Sequence, residues 1–409
     1  MVGIIVESKR RNNNNGEGNG DMVEEEGETW SMLPDHLLWM IKERLRPNFV
    51  QNLYVAAVCR NWWSAFCSNI TTTRFSLPWV MDDGGHDSDE QEFIDPWYKK
   101  KYTINLPDLS GAQVIYSKEG WLLLLKTIKV KSTVIQISRG RSIERSKAFS
   151  PFLLNPLTKA KVELPNLPYV SVLAGTFSII NGALGHVAFA AYEHNNTTSS
   201  EGAISPSLFI ANLSNRGKSG DDETSWTWSK YIPTFVTKII TRVSGFLIFG
   251  GLLYCFDANA GMLVFDLVTL AWKEYRIFVN ADVFNDILEC EGQIIGMRII
   301  ERRVSCRFFR LNLIKSSGNE VDWVELKDDD VLLLDKIWFT GQRYSSAFTR
   351  TVKLDGGIKK IVYHNNLIFQ QDNKTAKWIS RSVEFDGLEN WGVYVGKMSH
   401  YHPLWVDIS

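Results

Sequence analysis

Residues 251–275 read GLLYCFDANAGMLVFDLVTLAWKEY. A glycine precedes one apolar run of strand length, a second apolar run follows, and Trp272 begins a third segment. Asp266 and Thr269 lie between the second and third segments, and both residue types reverse the chain by bonding nearby backbone groups. A tryptophan just after such a turn suits packing between neighbouring sheets. The stretch therefore predicts short strands joined by tight turns.

The same plan returns elsewhere in the chain and predicts a repeat architecture. Clear copies begin at Gly120 and Gly292, and weaker copies occupy residues 187–231 and 367–385. Each copy spans roughly forty to sixty residues, which is the range of propeller blades. Helical signals are scarce after Ser68, so the fold class predicted for this part is mainly β.

Strands from both ends of this region would complete the ring. Residues 75–81 and 101–106 have strand-like patterns, and residues 404–408 could join them. Closing the ring in this way removes exposed sheet edges that would otherwise aggregate. We predict a C-terminal β-propeller over residues 75–409 with about six blades, in a range of five to seven. The acidic stretch 82–92 is expected to be a solvated loop.

The segment at residues 30–68 has a different pattern, WSMLPDHLLWMIKERLRPNFVQNLYVAAVCRNWWSAFCS. Pro34 lies where a helix would begin, and apolar residues then recur every four positions at Leu37, Ile41 and Leu45. Two or three short helices in about forty residues bury too little apolar surface to be stable alone. We therefore predict a small helical module over residues 29–69 that another protein completes.

This helical module resembles an F-box. The resemblance rests on Leu33-Pro34-Asp35, Leu37-Leu38-x-x-Ile41, Leu45 and Val58-Cys59-Arg60-x-Trp62. It implies docking on the Skp-type adaptor of a Skp–cullin–F-box ubiquitin ligase. Some of these residues must instead form the core of a helical bundle, and periodicity alone cannot divide core from interface. The adaptor-binding residues predicted in this way are Leu33, Pro34, Leu37, Leu38, Ile41, Leu45, Val58, Cys59 and Trp62.

The remainder of the chain resembles the propeller of plant F-box proteins of the KIB type. Asn155-Pro156-Leu157-Thr158 and Phe256-Asp257-Ala258-Asn259 match recurring phrases of that family. The resemblance implies that the propeller binds a substrate protein. Residues 1–28 are rich in asparagine, glycine and glutamate without apolar periodicity, so we expect a disordered tail there.

Composition excludes several classes of partner. The formal net charge is −1, which argues against non-specific binding to nucleic acid or membranes. The five cysteines form no C-x-x-C pair, so we expect buried free thiols in a reducing compartment. The sequence has no secretory signal or membrane-length apolar run, and we expect the cytoplasm or the nucleus.

We find no catalytic motif. The sequence contains no G-x-S-x-G, H-E-x-x-H, P-loop or G-x-G-x-x-G pattern. The pair His400 and His402 has no further metal ligand nearby in the sequence, and the run Asp328-Asp329-Asp330 lacks the glycine and glutamate of a calcium loop. We predict no catalytic residue, no metal site and no cofactor.

Three functions remain open from the sequence. The first is a non-catalytic substrate receptor, in which the helical module docks on a Skp-type adaptor and through it a cullin, while the propeller binds an unknown target protein. The second is a propeller enzyme or carbohydrate-binding protein whose helices are a cap. The third is an F-box protein that acts outside degradation. Apolar runs at 122–125, 187–191 and 252–256, interpreted as inner strands, argue against the second.

Overall fold

The structure, a computed structural model, divides into two compact units, Met1–Ser76 and Leu77–Ser409. It describes residues 33–45, 55, 58–67, 79–81, 89–95, 100–137, 140–193, 207–215, 224–233, 243–257, 261–277, 284–300, 304–314, 320–334, 336–340, 348–351, 358–364, 367–372, 377–382 and 404–406. The predicted tail at 1–28 lies outside these residues. The predicted domain limits of 29–69 and 75–409 stay predictions.

The first unit contains two helices in its described part, α1 (Asp35–Leu45) and α2 (Arg60–Cys67). The carbonyl of Pro34 accepts hydrogen bonds from the backbone N–H groups of Leu37 and Leu38 at 2.9 and 3.2 Å, so the helix begins directly after this proline, next to the predicted position. Leu38 and Trp62 are buried against each other. The partly buried residues that pack around them are Leu33, Ile41, Val55 and Cys59.

The second unit is built of strands, which form six blades in the described part of the chain. Blade 1 contains β1 (Trp79–Met81), β2 (Glu90–Asp95), β3 (Lys100–Asn105) and the last strand, β25 (Leu404–Val406). Blade 2 contains β4 (Ala112–Lys118), β5 (Trp121–Ile137), β6 (Gly140–Leu154) and β7 (Lys161–Glu163). Blade 3 contains β8 (Leu167–Ile180), β9 (Ala183–Glu193), β10 (Ser207–Asn215) and β11 (Thr224–Tyr231).

The other three blades follow in chain order. Blade 4 contains β12 (Val243–Phe249), β13 (Leu252–Asp257), β14 (Gly261–Asp266) and β15 (Ala271–Ile277). Blade 5 contains β16 (Asp286–Cys290), β17 (Gln293–Ile300), β18 (Ser305–Ile314) and β19 (Glu320–Glu325). Blade 6 contains β20 (Lys336–Thr340), β21 (Phe348–Thr351), β22 (Ile358–His364), β23 (Leu367–Asp372) and β24 (Trp378–Ser382).

Blades 2 to 5 share one topology. Each is a run of antiparallel neighbours in chain order, and the first strands β4, β8, β12 and β16 lie side by side. In blade 1 the C-terminal strand β25 pairs with β1, with Val80 opposite Trp405. The predicted joining of the two ends of the chain in one blade is therefore confirmed. Blade 6 departs from the common plan because β20 pairs in parallel with β22.

Two kinds of turn repeat in these blades and explain the sequence motif. The turn from first to second strand places two residues at positive φ, ending in Gly120, Gly182, Gly251 and Gly292 in blades 2 to 5. Such turns match the twist of a tight hairpin, and glycine adopts them without strain. The turn from third to fourth strand uses an Asx side chain, since Asp266 Oδ1 accepts from the N–H groups of Val268 and Thr269 at 2.8 and 3.0 Å. The predicted turn chemistry is confirmed.

Apolar clusters fill the contacts between consecutive blades. Alternate residues of one strand serve two clusters: Leu253 and Cys255 of β13 face blade 3, whereas Tyr254 and Phe256 face blade 5. Strands buried on both faces have continuous apolar sequences instead of alternating ones. This explains why the apolar runs belong to the second strands. The prediction that these apolar runs are the inner strands is wrong, because the first strand of each blade lies innermost, next to the first strands of the neighbouring blades.

Tryptophans on fourth strands pack against the preceding blade. Trp272 of β15 lies in the cluster shared by blades 3 and 4, and Trp323 of β19 lies in the cluster shared by blades 4 and 5. The ring of Trp323 is 5.8 Å from that of Phe256 in blade 4. The predicted inter-blade positions of the two tryptophans are confirmed.

The predicted loop at 82–92 needs a correction at its end. Residues 82–88 lie outside the described part, but Glu90 begins strand β2. Gln91, Phe93 and Ile94 of that strand are buried, so residues 90–92 begin a packed strand and do not belong to a solvated loop.

Truncation of the inter-blade tryptophans should destabilise the propeller. Trp323→Ala and Trp272→Ala should each lower the free energy of unfolding by about 3–5 kcal/mol, because they leave cavities between blades. Urea denaturation followed by circular dichroism measures this. Val268→Ala is the matched control: Val268 is 84% exposed, and its truncation should change the free energy by less than about 0.5 kcal/mol. Wild-type stability in both tryptophan variants would contradict the repeat assignment.

Candidate functional site

The structure divides the nine predicted adaptor-binding residues into two groups. Leu38 and Trp62 are buried, and Leu33, Ile41 and Cys59 pack around them. In contrast, Pro34 is exposed, as are Leu37 (38% exposed) and Val58 (55% exposed). The side chain of Leu45 lies outside the described residues. The inward group stabilises the helical unit, so only the outward group is free to contact a partner directly.

Two further apolar residues of α1 point to solvent and were not among the predicted nine. Trp39 is 55% exposed and Met40 is 51% exposed. They lie outside the stripe formed at four-residue spacing by Leu37, Ile41 and Leu45, and Leu37 of that stripe is itself exposed. The available signal was the presence of two large apolar residues away from that stripe. We call Leu37, Trp39 and Met40 the outer face of α1.

The concentration of exposed apolar residues here is unusual for the molecule. Among the described residues, four of the twelve exposed large hydrophobics are Leu37, Trp39, Met40 and Val58, although this unit contributes only two short helices. Exposed apolar side chains concentrated in one small unit indicate an interaction site. The outer face of α1 is therefore the candidate docking surface.

The described part of the propeller offers little for metal or nucleophile chemistry. No group of three or more histidine, cysteine or carboxylate side chains suited to a metal occurs among the described residues. His194, His400 and His402 lie outside them. None of the helices in the described part is both long and apolar enough to cross a membrane. Burial raises the pKa of Cys290 and of Cys306, which disfavours the thiolate that a nucleophile requires.

The contact between blades 5 and 6 contains a buried polar group. Lys360 of β22 is fully buried, and its Nζ donates to Asp328 Oδ1 at 2.8 Å. Gln371 of β23 is also buried and donates to Asp328 Oδ2 at 3.0 Å. The ring of Phe308 lies 5.8 Å from the same ammonium group. A buried charge is tolerated only when paired, so this arrangement holds two blades together.

This arrangement corrects the prediction that Asp328-Asp329-Asp330 is only a solvated loop. Asp328 is half exposed but ion-pairs with the buried lysine. Asp330 caps the short 3₁₀ helix Val331–Leu333, because its carboxylate accepts from the N–H of Leu332 at 3.0 Å. The pattern was missed because its cationic partner is 32 residues away in the sequence.

The same blade contact contains two other polar bridges. Lys336, whose side chain is almost fully buried, pairs with Glu291 Oε1 at 2.7 Å. Thr349 Oγ1 lies 3.8 Å from Cys290 Sγ. Both bridges join blade 5 to blade 6. They add to an apolar cluster between the same blades, in which the rings of Phe308 and Trp338 are 4.5 Å apart.

Asp286 is the one carboxyl in the described first strands whose pKa is strongly raised. Burial raises the pKa of Asp286 to about 8, and a hydrogen bond with Thr340 of blade 6 opposes this shift. Its Oδ2 atom is buried without a hydrogen-bond partner among the described residues. A perturbed carboxyl can signal an active site. Here its polar neighbour belongs to the adjoining blade, and the arrangement fits a structural contact between blades.

Comparison with known proteins gives a family match over most of the propeller. The family model described as KIB1-4 beta-propeller matches residues 92–395. The F-box protein At3g56470 of Arabidopsis thaliana is 36% identical over 100 residues, which are 24% of this chain and 26% of the relative. The F-box/kelch-repeat protein At1g57790 of the same plant is 33% identical over 139 residues, which are 34% of this chain and 33% of the relative.

These matches cover only part of each relative. The chain spans about a quarter to a third of the length of these two plant proteins. Among solved structures, the β-propeller domain of Cps50 (Swd1) from Myceliophteria thermophila is 10% identical with a TM-score of 0.31, covering 75% of this chain and all of that one.

The raised pKa of Asp286 predicts a pH-dependent stability. The folded protein retains this proton until about pH 8, whereas the unfolded chain releases it near the ordinary value of 3.8. The folded state therefore binds more protons between these values, and its stability falls as pH rises through them. One pKa unit corresponds to about 1.4 kcal/mol. Asp286→Asn should remove this loss, so its stability relative to wild type should increase by a few kcal/mol between pH 5 and pH 8.5.

Denaturant unfolding monitored by tryptophan fluorescence at several pH values tests this. Asp329→Asn, at an exposed position of a loop, is the matched control and should follow the wild-type profile. Parallel profiles for wild type and Asp286→Asn would show that this carboxyl is ionised in the folded protein.

Proposed function

Because the chain belongs to the KIB1-4 β-propeller family, we propose that it is an F-box substrate receptor. In this proposal the helical module docks on a Skp-type adaptor, the adaptor connects the chain to a cullin, and the propeller binds a target protein. The naming of the relatives At3g56470 and At1g57790 as F-box proteins supports the docking part. We expect this assembly in the cytoplasm or the nucleus.

The observation that carries the proposal is the outer face of α1. Trp39 and Met40 expose more than half of their surface, while the small core behind them is occupied by Leu38 and Trp62. Exposing large apolar side chains on so short a module is unfavourable unless a partner covers them. A helix-binding adaptor groove provides such cover, with a few buried anchors supplying most of the affinity.

The proposed role needs no catalytic residue in this chain. Ubiquitin transfer would be performed by other subunits of the ligase. This protein would hold the target close to the transfer site, and such positioning converts a bimolecular encounter into an effectively intramolecular one. The nine residues predicted from the sequence would then serve in two ways, the inward ones by shaping the module and the outward ones by contact.

Disrupting the outer face should abolish adaptor binding. Met40→Glu places a charge where a partner must exclude water, and the position is exposed in the free chain, so the module should stay folded. We expect the affinity of the full chain for a Skp-type adaptor to fall by at least about thirtyfold, as for an interface anchor. Isothermal titration calorimetry or co-purification measures this.

Val268→Glu is the matched control, because it makes the same kind of change at an exposed apolar residue of the propeller. It should leave adaptor affinity unchanged. Leu38→Ala should weaken binding through loss of helical structure, visible by circular dichroism, whereas Met40→Glu should not alter the spectrum. Full adaptor binding by Met40→Glu would refute docking through this face.

A further inference from the structure

The second and third strands of blade 2 are far longer than a blade requires. Strand β5 has 17 residues and β6 has 15, whereas the corresponding strands β13 and β14 of blade 4 have 6 each. The first strand β4 pairs with β5 only as far as Lys126, and the fourth strand β7 pairs with β6 only from Phe152. We call residues 129–137 and 140–147 the β5–β6 extension.

The extension continues as a regular two-stranded ribbon. Its register runs from Lys129 opposite Ala148 to Ile137 opposite Gly140, beyond a bulge between Thr127 and Lys129. Within the described part of the chain, residues 131–137 of β5 and 140–146 of β6 pair only with each other. Each strand of the ribbon therefore has one edge of backbone N–H and C=O groups to which no described strand is bonded.

The hairpin is strongly basic in an otherwise acidic chain. Residues 126–147 contain seven lysines and arginines and a single acidic residue, Glu144, for a net charge of +6. The whole chain has a net charge of −1, which leaves −7 for the remaining residues. The excess of positive over negative charge is therefore confined to this hairpin, whereas the rest of the chain has an excess of negative charge.

The register divides these cations between the two faces of the ribbon. Residues directly opposite each other in an antiparallel pair lie on the same face. Arg141, Arg145 and Lys147 share one face with Val130, Ser132, Val134, Gln136 and Ile143. Lys129 and Lys131 share the other face with Thr133, Glu144 and Ser146. All three cations of the first face therefore belong to β6, and the β5 residues opposite them are uncharged.

We propose that the β5–β6 extension binds an extended acidic segment of a partner protein by strand addition, with the basic residues flanking the added strand. This inference rests on the proposed function, since it assigns the chemistry of the target that the propeller would hold. An added strand would satisfy the open backbone edge, which provides affinity, while alternate side chains provide specificity. Carboxylates of the added segment would pair with arginines, and the positive field would accelerate encounter.

Nucleic acid fits the same hairpin less well. Phosphates would use the cations but neither the open strand edge nor the apolar positions Val130, Val134 and Ile143. The −7 charge of the remaining chain would also repel a polyanion that extends past the hairpin. A third explanation is that lysines and arginines only protect an exposed edge from aggregation. The experiment separates these three.

The probe is a fluorescein-labelled peptide of alternating glutamate and valine, about ten residues long, so that it matches one strand of the ribbon. Fluorescence anisotropy with the full chain gives its dissociation constant. Arg141→Glu with Arg145→Glu should weaken binding at least about tenfold, and the milder Arg141→Gln with Arg145→Gln should weaken it by a smaller factor. The same peptide with alternate backbone amides methylated should lose binding, because it cannot donate to the strand edge.

The control variant is Lys230→Glu with Arg298→Glu, which reverses two exposed cations in other blades. It should change peptide affinity less than about twofold. Size-exclusion chromatography of each variant reports aggregation. An edge-protection role predicts aggregation of the Arg141 and Arg145 variants with no peptide binding by wild type, and that result overturns the proposal.

Three other results overturn it as well. The first is that the methylated peptide binds as tightly as the unmethylated one. The second is that the control variant loses as much peptide affinity as the Arg141→Glu, Arg145→Glu variant. The third is that an oligothymidine binds more tightly than the peptide and that the same arginine substitutions weaken its binding. Adaptor binding is measured on the same samples. Loss of peptide binding with intact adaptor binding in the Arg141→Glu, Arg145→Glu variant supports the inference. Failure of wild type to bind the adaptor would refute the proposed function, and the peptide titration would still decide the inference.

Discussion

The structure of the propeller depends on apolar contact between neighbouring blades. A middle strand such as β13 has no solvent face, because Leu253 packs toward one blade and Tyr254 toward the other. A single blade would therefore expose a large apolar face on each side, and the blades stabilise one another only as a set. The turns are important for the same reason, because they set the register of the strands. A shift of the register by one residue would exchange the two faces of a strand and would break its contacts with both neighbouring blades.

The contact between blades 5 and 6 uses polar pairs within this apolar scheme. Lys360 is fully buried beside Asp328, and Lys336 pairs with Glu291. An apolar neighbour placed against Lys360 would leave its charge unpaired at considerable cost. This contact therefore accepts only a neighbour that supplies carboxylates at these positions. Because blade 6 also has its own strand order, with β20 parallel to β22, the polar pairs accompany the least regular blade.

The two surfaces proposed for binding depart from the packing rules in different ways. On α1, Trp39 and Met40 expose apolar surface that is not buried in the small core of Leu38 and Trp62. On blade 2, the β5–β6 extension offers backbone edges and concentrated positive charge. The first surface suits a partner that covers a helix, and the second suits a partner that adds a strand. The proposed receptor would thus use separate units and separate chemistry for its two partners.

The sequence by itself determined the repeat, the class of the fold and the inter-blade role of Trp272 and Trp323, because turn residues and strand patterns are local properties of the chain. It also showed that strands near residues 80 and 405 belong to one blade, as the pairing of Val80 with Trp405 confirms. It did not reveal which strands lie innermost, since an apolar run has the same appearance wherever both faces are covered.

For the candidate site too, the sequence determined some features and only the tertiary structure determined the others. Periodicity located α1, but the exposure of Leu37, Trp39 and Met40 became evident only from the folded helix. The pairing of Asp328 with Lys360, and the burial that raises the pKa of Asp286 to about 8, were likewise decided by the tertiary structure. Both depend on side chains from neighbouring blades that are distant in sequence, and charge, burial and exposure are properties of that surrounding and not of the residue alone.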